Sequence, residues 1–533
     1  VSFLIIVPAA AHLLFSWRGL NPTDDGFVLA LSRRILEGQV PHRDFISIRP
    51  AGSAFLHAPF VLFGGDRTFW VSRSFVWFQF ACIAWAWAAA VGRLSAAPFG
   101  AVEKAVFGLV AFAYSSHAFP VMAWQTIDGL FFLSIGLVLC LGTSRGGKTA
   151  GYALIGMSCL CKQSFLPMTF AVVILGDWRL VRYWLAMALP GAAYFAYLAG
   201  AGAVPDAVVQ MGAHAGTVPG QMGRYLFSRV ALFGAAWGYA SLALAFGHGS
   251  LRTAAQKDVP ILAGALMLFG ALSVISAGLK DVYTPFWALF GITAGAVLFL
   301  VSAGTEPFIS ARAGALALLA AWCASLSVGY RTPALASGAL AAAVLGYGRD
   351  ALRHAREMSP VRKLAYPLLI VVLAVTMAEY GIVRNEHIYR DRPARELRFS
   401  LDGLLPGGRH IRTNENTFRF LADLKAAIGK AGGKAYAVIP DVAGYWARSQ
   451  RTNPLPVDWA QGTELASRPL VDRVTQTLEA GRGDIAVIAQ KVEASLLADG
   501  FVPLRDSDHY AVVRFVRDHF TKTAETEFFD IYE

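Results

Sequence analysis

Two adjacent carboxylates followed by a glycine, Asp24, Asp25 and Gly26, are the residues of this 533-residue chain best suited to do chemistry. A carboxylate can take the proton from an attacking hydroxyl, and a single one suffices when the leaving group departs as a stable anion. A phosphate is such a group, whereas a glycoside hydrolase must also protonate a sugar oxygen and so needs two carboxyls. Charge growing on a departing phosphate has to be met by cations. Arg49, Lys162, Lys280 and Arg331 are the candidates. Lys162 sits in an apolar context, Cys161 to Pro167, where an ionisable group is costly and therefore suggests function. Each residue also has a plainer reading. One acid caps a helix while both complement its dipole, and Lys280 and Arg331 snorkel from the ends of apolar segments.

The acids belong to an unusual segment, 21–64. Thr23 or Asp24 is placed to cap a helix that begins near Asp25, carries Phe27, Leu31 and Ile35 on one face and Arg33, Arg34 and Glu37 on the other, and stops at Gly38. Such a helix lies in the plane of a membrane interface. A second apolar stretch, 51–63, returns along the same surface.

Around this segment the chain is 56% hydrophobic and 16% charged, with a mean hydropathy of +0.48. Apolar runs of about 17 to 23 residues are long enough to cross a hydrocarbon core as helices. The expected architecture is a polytopic α-helical membrane protein of about 13 transmembrane helices. These lie near 1–17, 69–92, 105–121, 127–142, 149–160, 165–176, 181–200, 227–247, 259–278, 284–303, 313–329, 333–347 and 364–382. Val1 opens the first run with neither a basic flank nor a small-residue cleavage site, which reads as a membrane helix and not a signal peptide. Arginine and lysine concentrate in alternate loops, from Arg93 and Lys104 to the cluster Arg349, Arg353, Arg356, Arg362 and Lys363. The positive-inside rule makes those loops cytoplasmic. The first loop, 18–68, and the region 384–533 then face the periplasm of a bacterial inner membrane, giving a membrane domain over 1–383 and a C-terminal domain over 384–533.

In that C-terminal region a helical period runs through Phe418, Leu421, Leu424 and Ile428, followed by an apolar strand at 435–439. Leu470, Val474 and Leu478 mark a second helix, and 484–489 and 509–516 read as further strands. The alternation predicts a small periplasmic α/β domain.

Several other chemistries are disfavoured. The formal charge of +11 is spread over short loops and not along one stripe, which argues against nucleic acid. Gly142 to Thr149, GTSRGGKT, fits the Walker A expression but follows an apolar helix where a strand is needed. The five cysteines all fall in apolar segments, which predicts neither a disulfide framework nor a zinc site. Metal-ligand spacings such as HExxH are missing from the sequence, so no metal site and no particular cofactor are assigned, though a divalent cation is compatible with the chemistry.

The order of features in the first loop resembles the first periplasmic loop of the GT-C glycosyltransferases. Asp24-Asp25-Gly26 is followed by Gly38, Pro41, His42, Arg43, Asp44 and Phe45, then Arg49 and Pro50, then Phe63 and Gly64. In those polyprenyl-phosphate-sugar enzymes, including dolichyl-phosphate-mannose-type and aminoarabinose transferase-like members, the loop reads DEG, a helix, GxxPYxDF, a proline and FG. Here Asp25 stands for Glu and His42 for Tyr, which leaves either acid eligible as the base. Fainter likeness extends to Trp124, Gln125 and Asp128 and to Lys162 with Gln163. For Asp128 the alternative is a helix-dipole partner, and for Trp124 an aromatic membrane anchor.

The resemblance implies an inverting glycosyltransferase that moves a sugar from a polyprenyl phosphate donor to an envelope glycan or lipid-linked acceptor. Asp24 or Asp25 is then catalytic. Asp44, Arg49, His42, Gln125, Asp128, Lys162, Gln163 and Lys280 bind substrate, with membrane lipid a further partner. The rival readings are a transporter or flippase of lipid-linked sugars and a non-catalytic membrane assembly subunit.

Overall fold

Apolar stretches satisfy their backbone polar groups most simply as helices. The computed structural model describes residues 1–95, 97–117, 120–214, 226–246, 284–302, 311–327, 331–354 and 362–533, with isolated positions at 220, 223 and 270. The helices of its first part are α1 (Ser2–Phe15), α2 (Phe27–Leu36), α3 (Gly52–Gly64), α4 (Thr68–Leu94), α5 (Ala101–Ser116), α6 (Gln125–Cys140), α7 (Arg145–Cys161), α8 (Leu166–Leu175), α9 (Val181–Gly200) and α10 (Val204–Gly212). They continue as α11 (Arg229–Phe246), α12 (Thr284–Ser302), α13 (Ala311–Ser325), α14 (Ser337–His354) and α15 (Arg362–Glu386). Helix α4 is the axis of this part. Its Val76, Trp77, Phe80, Ile83 and Trp87 are buried because α1, α3, α5 and α6 pack around it.

The expectation of about 13 transmembrane helices, and with it a multi-pass placement in a bacterial inner membrane, is overturned. Among the described residues two helical stretches are long and apolar enough to cross a membrane, Gly52–Leu94 and Thr284–Ser302. The physical reasons are length and composition. Ser2–Phe15, Gln125–Cys140, Gln163–Leu175 and Ala311–Ser325 are apolar helices in the 10–17 residue class. At about 1.5 Å rise per residue such helices reach roughly 15–26 Å, short of a hydrocarbon core of about 30 Å. Helix α9 is longer, at 20 residues, but its apolarity is diluted by Tyr183, Trp184, Pro190, Tyr194 and Tyr197. The helix expected at 259–278 lies, but for Gly270, outside the described residues.

All strands among the described residues follow Arg398. They are β1 (Phe399–Ser400), β2 (Arg412–Thr413), β3 (Ala435–Ile439), β4 (Ile485–Gln490), β5 (Lys522–Glu525) and β6 (Phe529–Tyr532), with helices α16 (Glu415–Lys430), α17 (Ala443–Trp446), α18 (Arg468–Ala480) and α19 (Ala511–His519) between them. A four-stranded sheet has the order β3-β4-β6-β5. Strands β3 and β4 run parallel, and the other pairings are antiparallel. Val438, Ala486 and Ile488 face Phe420, Leu421 and Leu424 of α16, while Ala437, Ile439, Val487 and Ala489 face Leu470, Val474 and Leu478 of α18. Burial on both faces explains why β4 reads as a continuous apolar run and not an alternating one. The strand expected at 509–516 is instead mostly helix α19, whose Val512, Val513 and Val516 share one buried helical face.

Between the helices and the sheet lies the first loop, 18–68. Helix α2 buries Phe27, Val28, Leu29, Ala30 and Leu31 nearly all round, so it is no free interfacial helix. Its expected polar face docks on the C-terminal residues. Arg34, 4% exposed, donates from Nε and Nη2 to the two oxygens of Asp458 at 2.6 and 2.7 Å and from Nη2 to Leu455 O at 2.8 Å.

Candidate active site

The acids sit where this seam is closely packed. Gly26, and not Thr23 or Asp24, takes the cap position before α2, at φ 86°, a left-handed conformation that favours glycine. A Cβ there would stand 2.5 Å from Gly444 Cα, and one on Gly444 would stand 2.6 Å from Asp25 O. Two glycines thus let α17 of the sheet domain rest directly on the turn that carries Asp24 and Asp25.

Both acids are buried, but their partners differ. Asp25 Oδ2 accepts from Asn21 N and from Arg73 Nη2, each at 3.2 Å. Arg73 is itself committed to the carbonyls of Ser16, Arg18 and Gly19. Burial raises the Asp25 carboxyl above the usual range against the pull of Arg73. Asp24 Oδ2 accepts from the Tyr389 hydroxyl at 2.7 Å and pairs with Arg390 Nη1 at 2.8 Å. Both contacts fall on one oxygen, and among the described residues no hydrogen-bond partner meets Oδ1. The Arg390 side chain is 39% exposed, so this edge of the cluster reaches solvent. Arg390 is also held at φ 49, a left-handed backbone that is uncommon outside glycine and recurs at functional sites.

A third acid joins them. Asp441, 2% exposed at the end of β3, accepts from Trp459 Nε1 at 3.1 Å and from Gln461 Nε2. Burial pushes its carboxyl up to about 8, with the charges of Asp24 and Glu493 adding to the rise and the Trp459 bond opposing it. A carboxyl raised in this way takes up a proton on folding. Its contribution to stability is complete below the ordinary Asp range near pH 4 and is lost as the pH climbs through about 8. Asp441→Asn cannot titrate, so between those limits the parent should lose stability relative to the variant by up to about 1.4 kcal/mol per pH unit. Thermal midpoints of both proteins across this range test the point, and parallel curves would rule it out.

The cations gather at a second pole, linked to the first through the segment 459–464. Arg49 Nη1 pairs with Glu464 Oε1 at 2.7 Å, and Glu464 N donates to Gln461 O at 2.9 Å. Lys162, 6% exposed, donates to Thr126 Oγ1 at 3.0 Å and to Ala324 O at 3.4 Å. Burial, reinforced by the neighbouring Arg49 charge, lowers its ammonium to about 7. Gln163 Nε2 donates to Ile48 O at 3.0 Å. Two buried acceptors of this cluster, Gln163 Oε1 and Glu464 Oε2, have no partner among the described residues. Buried polar atoms are nearly always paired, so both await donors.

The remaining expected residues are placed as follows. His42, fully buried at φ 70, bonds Tyr194 Oη at 2.8 Å and Gln210 Oε1 at 3.2 Å, and burial lowers its pKa. It fastens the loop to α9 and α10. Asp44 accepts from Val40 N at 2.7 Å and pairs with Arg43, which holds its carboxyl below the usual range; it closes the turn 40–44. Asp128 is enclosed in the helices, accepting from Gln79 Nε2 at 2.7 Å and bonded to His57 Nε2 at 3.0 Å. Gln125 is buried at the start of α6 beside Thr126, the partner of Lys162. Lys280 lies outside the described residues. In the Walker-like turn, Lys148 pairs with Asp177 at 3.0 Å and helix α6, not a strand, precedes it.

Sequence reasoning missed Arg73, Tyr389, Arg390, Asp441 and Glu464. Arg73 did carry a signal, being an ionisable residue inside an apolar run. The others come from distant positions without a local pattern.

No family model matches the chain, and no curated protein or solved structure matches it.

Proposed function

We propose that the chain is an inverting glycosyltransferase that takes a sugar from a polyprenyl phosphate and passes it to a hydroxyl of a glycan or lipid-linked acceptor. The observation that carries this reading is the cation pole. Arg49 is answered by Glu464, whereas buried Lys162 meets no carboxylate within ion-pair distance among the described residues and is the cation that an incoming anion would complement. Beside them Gln163 Oε1 and Glu464 Oε2 lack donors, and sugar hydroxyls are donors. A sugar phosphate brings both complements at once.

In this reaction Asp24 Oδ1 takes the acceptor's hydroxyl proton while the acceptor oxygen bonds to the anomeric carbon. The bond from that carbon to the phosphate oxygen breaks with its electron pair, and the phosphate leaves as an anion. Attack from the face opposite the leaving group inverts the anomeric configuration. Tyr389 and Arg390 hold the other oxygen of Asp24 and fix the direction of the first. The two poles divide the work between base and leaving-group stabilisation, as a single-carboxylate transfer requires.

The test is transfer of label from a radiolabelled polyprenyl-phosphate sugar by the purified full chain, offered glycan and lipid-linked acceptors in turn. The expected product carries the sugar with inverted configuration. An intact donor with every acceptor, or a product of retained configuration, ends this reading.

A further inference from the structure

A cavity of about 520 Å³ opens between the strap 402–409, helix α16 and the segment 433–451, within the roughly 300–1,000 Å³ of small-molecule sites. None of its lining residues belongs to the acid or cation poles. Its walls carry the cations Arg409, Lys425, Lys434 and Arg451 against the carboxylates Asp66 and Asp402. Lys434 is held by Glu533 at 2.8 Å, and Arg409 lies 4.0 Å from Asp402. Lys425 and Arg451 differ. Lys425 Nζ donates to Gly403 O at 3.2 Å and Arg451 to Lys434 O, and neither meets a carboxylate within ion-pair distance among the described residues. A carbonyl offers only a dipole whereas an anion adds the Coulomb attraction of an opposite charge, so both cations have more to gain from an anion than from the carbonyls they hold.

The floor has a different chemistry. Leu421, Leu424 and Ile428 of α16 line it together with Tyr436 and Tyr445, whose hydroxyls stand 2.6 Å apart. Aliphatic and aromatic surface suits the C–H face of a sugar ring, while the tyrosine hydroxyls and Asp66 suit its hydroxyl groups.

We propose that this cavity binds an anionic saccharide, a sugar bearing a carboxylate or a phosphate, with Lys425 and Arg451 on the acid group and the tyrosine pair under the ring. Binding here needs neither donor nor turnover, so it can fail or succeed independently of the glycosyl transfer proposed above.

Calorimetry on the full chain provides the test, with trigalacturonate, glucose 1-phosphate, neutral maltotriose and inorganic phosphate as ligands. At least one of the two charged saccharides should bind about tenfold or more tightly than both maltotriose and inorganic phosphate, a difference of about 1.4 kcal/mol or more. Which of the two binds better identifies the acid group. Lys425→Ala with Arg451→Ala should remove that advantage, and both side chains are exposed, so the fold should tolerate the change. Equal binding of maltotriose means idle cations, and equal binding of inorganic phosphate means a bare anion site; either overturns the proposal, as does undiminished binding by a folded double variant. Should that variant unfold, Lys425→Gln alone serves as the substitute, judged by the same loss.

Discussion

Asp24→Asn lowers sugar transfer by about 10²–10⁴-fold, the usual contribution of a positioned general base, while leaving the protein folded. The amide keeps an oxygen for Tyr389 and Arg390 but cannot take a proton. The ion pair it removes joins an Asp24 side chain that is 5% exposed to an Arg390 that is 39% exposed, so its loss costs more than the roughly 1 kcal/mol of a surface pair and less than the roughly 3–5 kcal/mol of a fully buried one. Asp25→Asn should behave in the opposite sense. Its carboxylate faces Arg73 in an enclosed place, so weakening that pair lowers the thermal midpoint more than it lowers turnover per folded molecule. Initial rates at matched folded protein, measured beside thermal unfolding, separate the two acids. Parental turnover in Asp24→Asn would remove it from the role of base, and a larger rate loss in Asp25→Asn would hand that role to its neighbour.

Arg34→Met should destabilise the seam between the first loop and the sheet domain by about 3–5 kcal/mol, the cost of stranding one partner of a buried ion pair. The side chains of Arg34 and Asp458 are 4% and 1% exposed. Without the guanidinium, Asp458 keeps only Asn453 Nδ2 at 2.9 Å as a side-chain donor among the described residues. Adding Asp458→Leu to Arg34→Met should recover much of the loss, because an apolar pair of similar volume avoids burying charge at all. Thermal midpoints and protease cutting of the segment 440–470 read out both steps. If the single variant melts with the parent, the bridge contributes nothing to the docking; if the double variant is no better than the single one, the loss came from packing and not from charge.

Local elements were legible where one repeat decides them. The period through Phe418, Leu421, Leu424 and Ile428 falls within α16, and the apolar runs at 435–439 and 484–489 match β3 and β4 to within a residue or two. The segment 509–516 was misread because valines at 512, 513 and 516 favour strands by type, while their spacing places them on one helical face. The count of crossings failed for a related reason. Hydropathy sums apolar side chains whether they face the core, as Val76 and Phe80 do, or the outside, as Ile5, Leu13 and Leu185 do, and it does not say where a helix will end.

The site divides in the same way. Asp24, Asp25 and Gly26 could be singled out from their types and adjacency alone, and Lys162 from an ionisable group among apolar neighbours. Their partners could not. Arg390 and Asp441 stand hundreds of residues from the acids in sequence; Asp441 is brought near as α17 rests on the turn at Gly26, and Arg390 as its neighbour Asp391 accepts from Leu20 N. The contacts of His42, Asp44 and Asp128 were likewise decided by packing, which bonds His42 to Tyr194 and Gln210, folds Asp44 back onto Val40 and encloses Asp128 in the helices. Sequence by itself determined which residues can ionise, donate or cap, since those are properties of single side chains and short spacings. Only the tertiary structure decided which charges meet and which oxygens stay unpaired, because burial and pairing depend on chain segments that sequence keeps far apart.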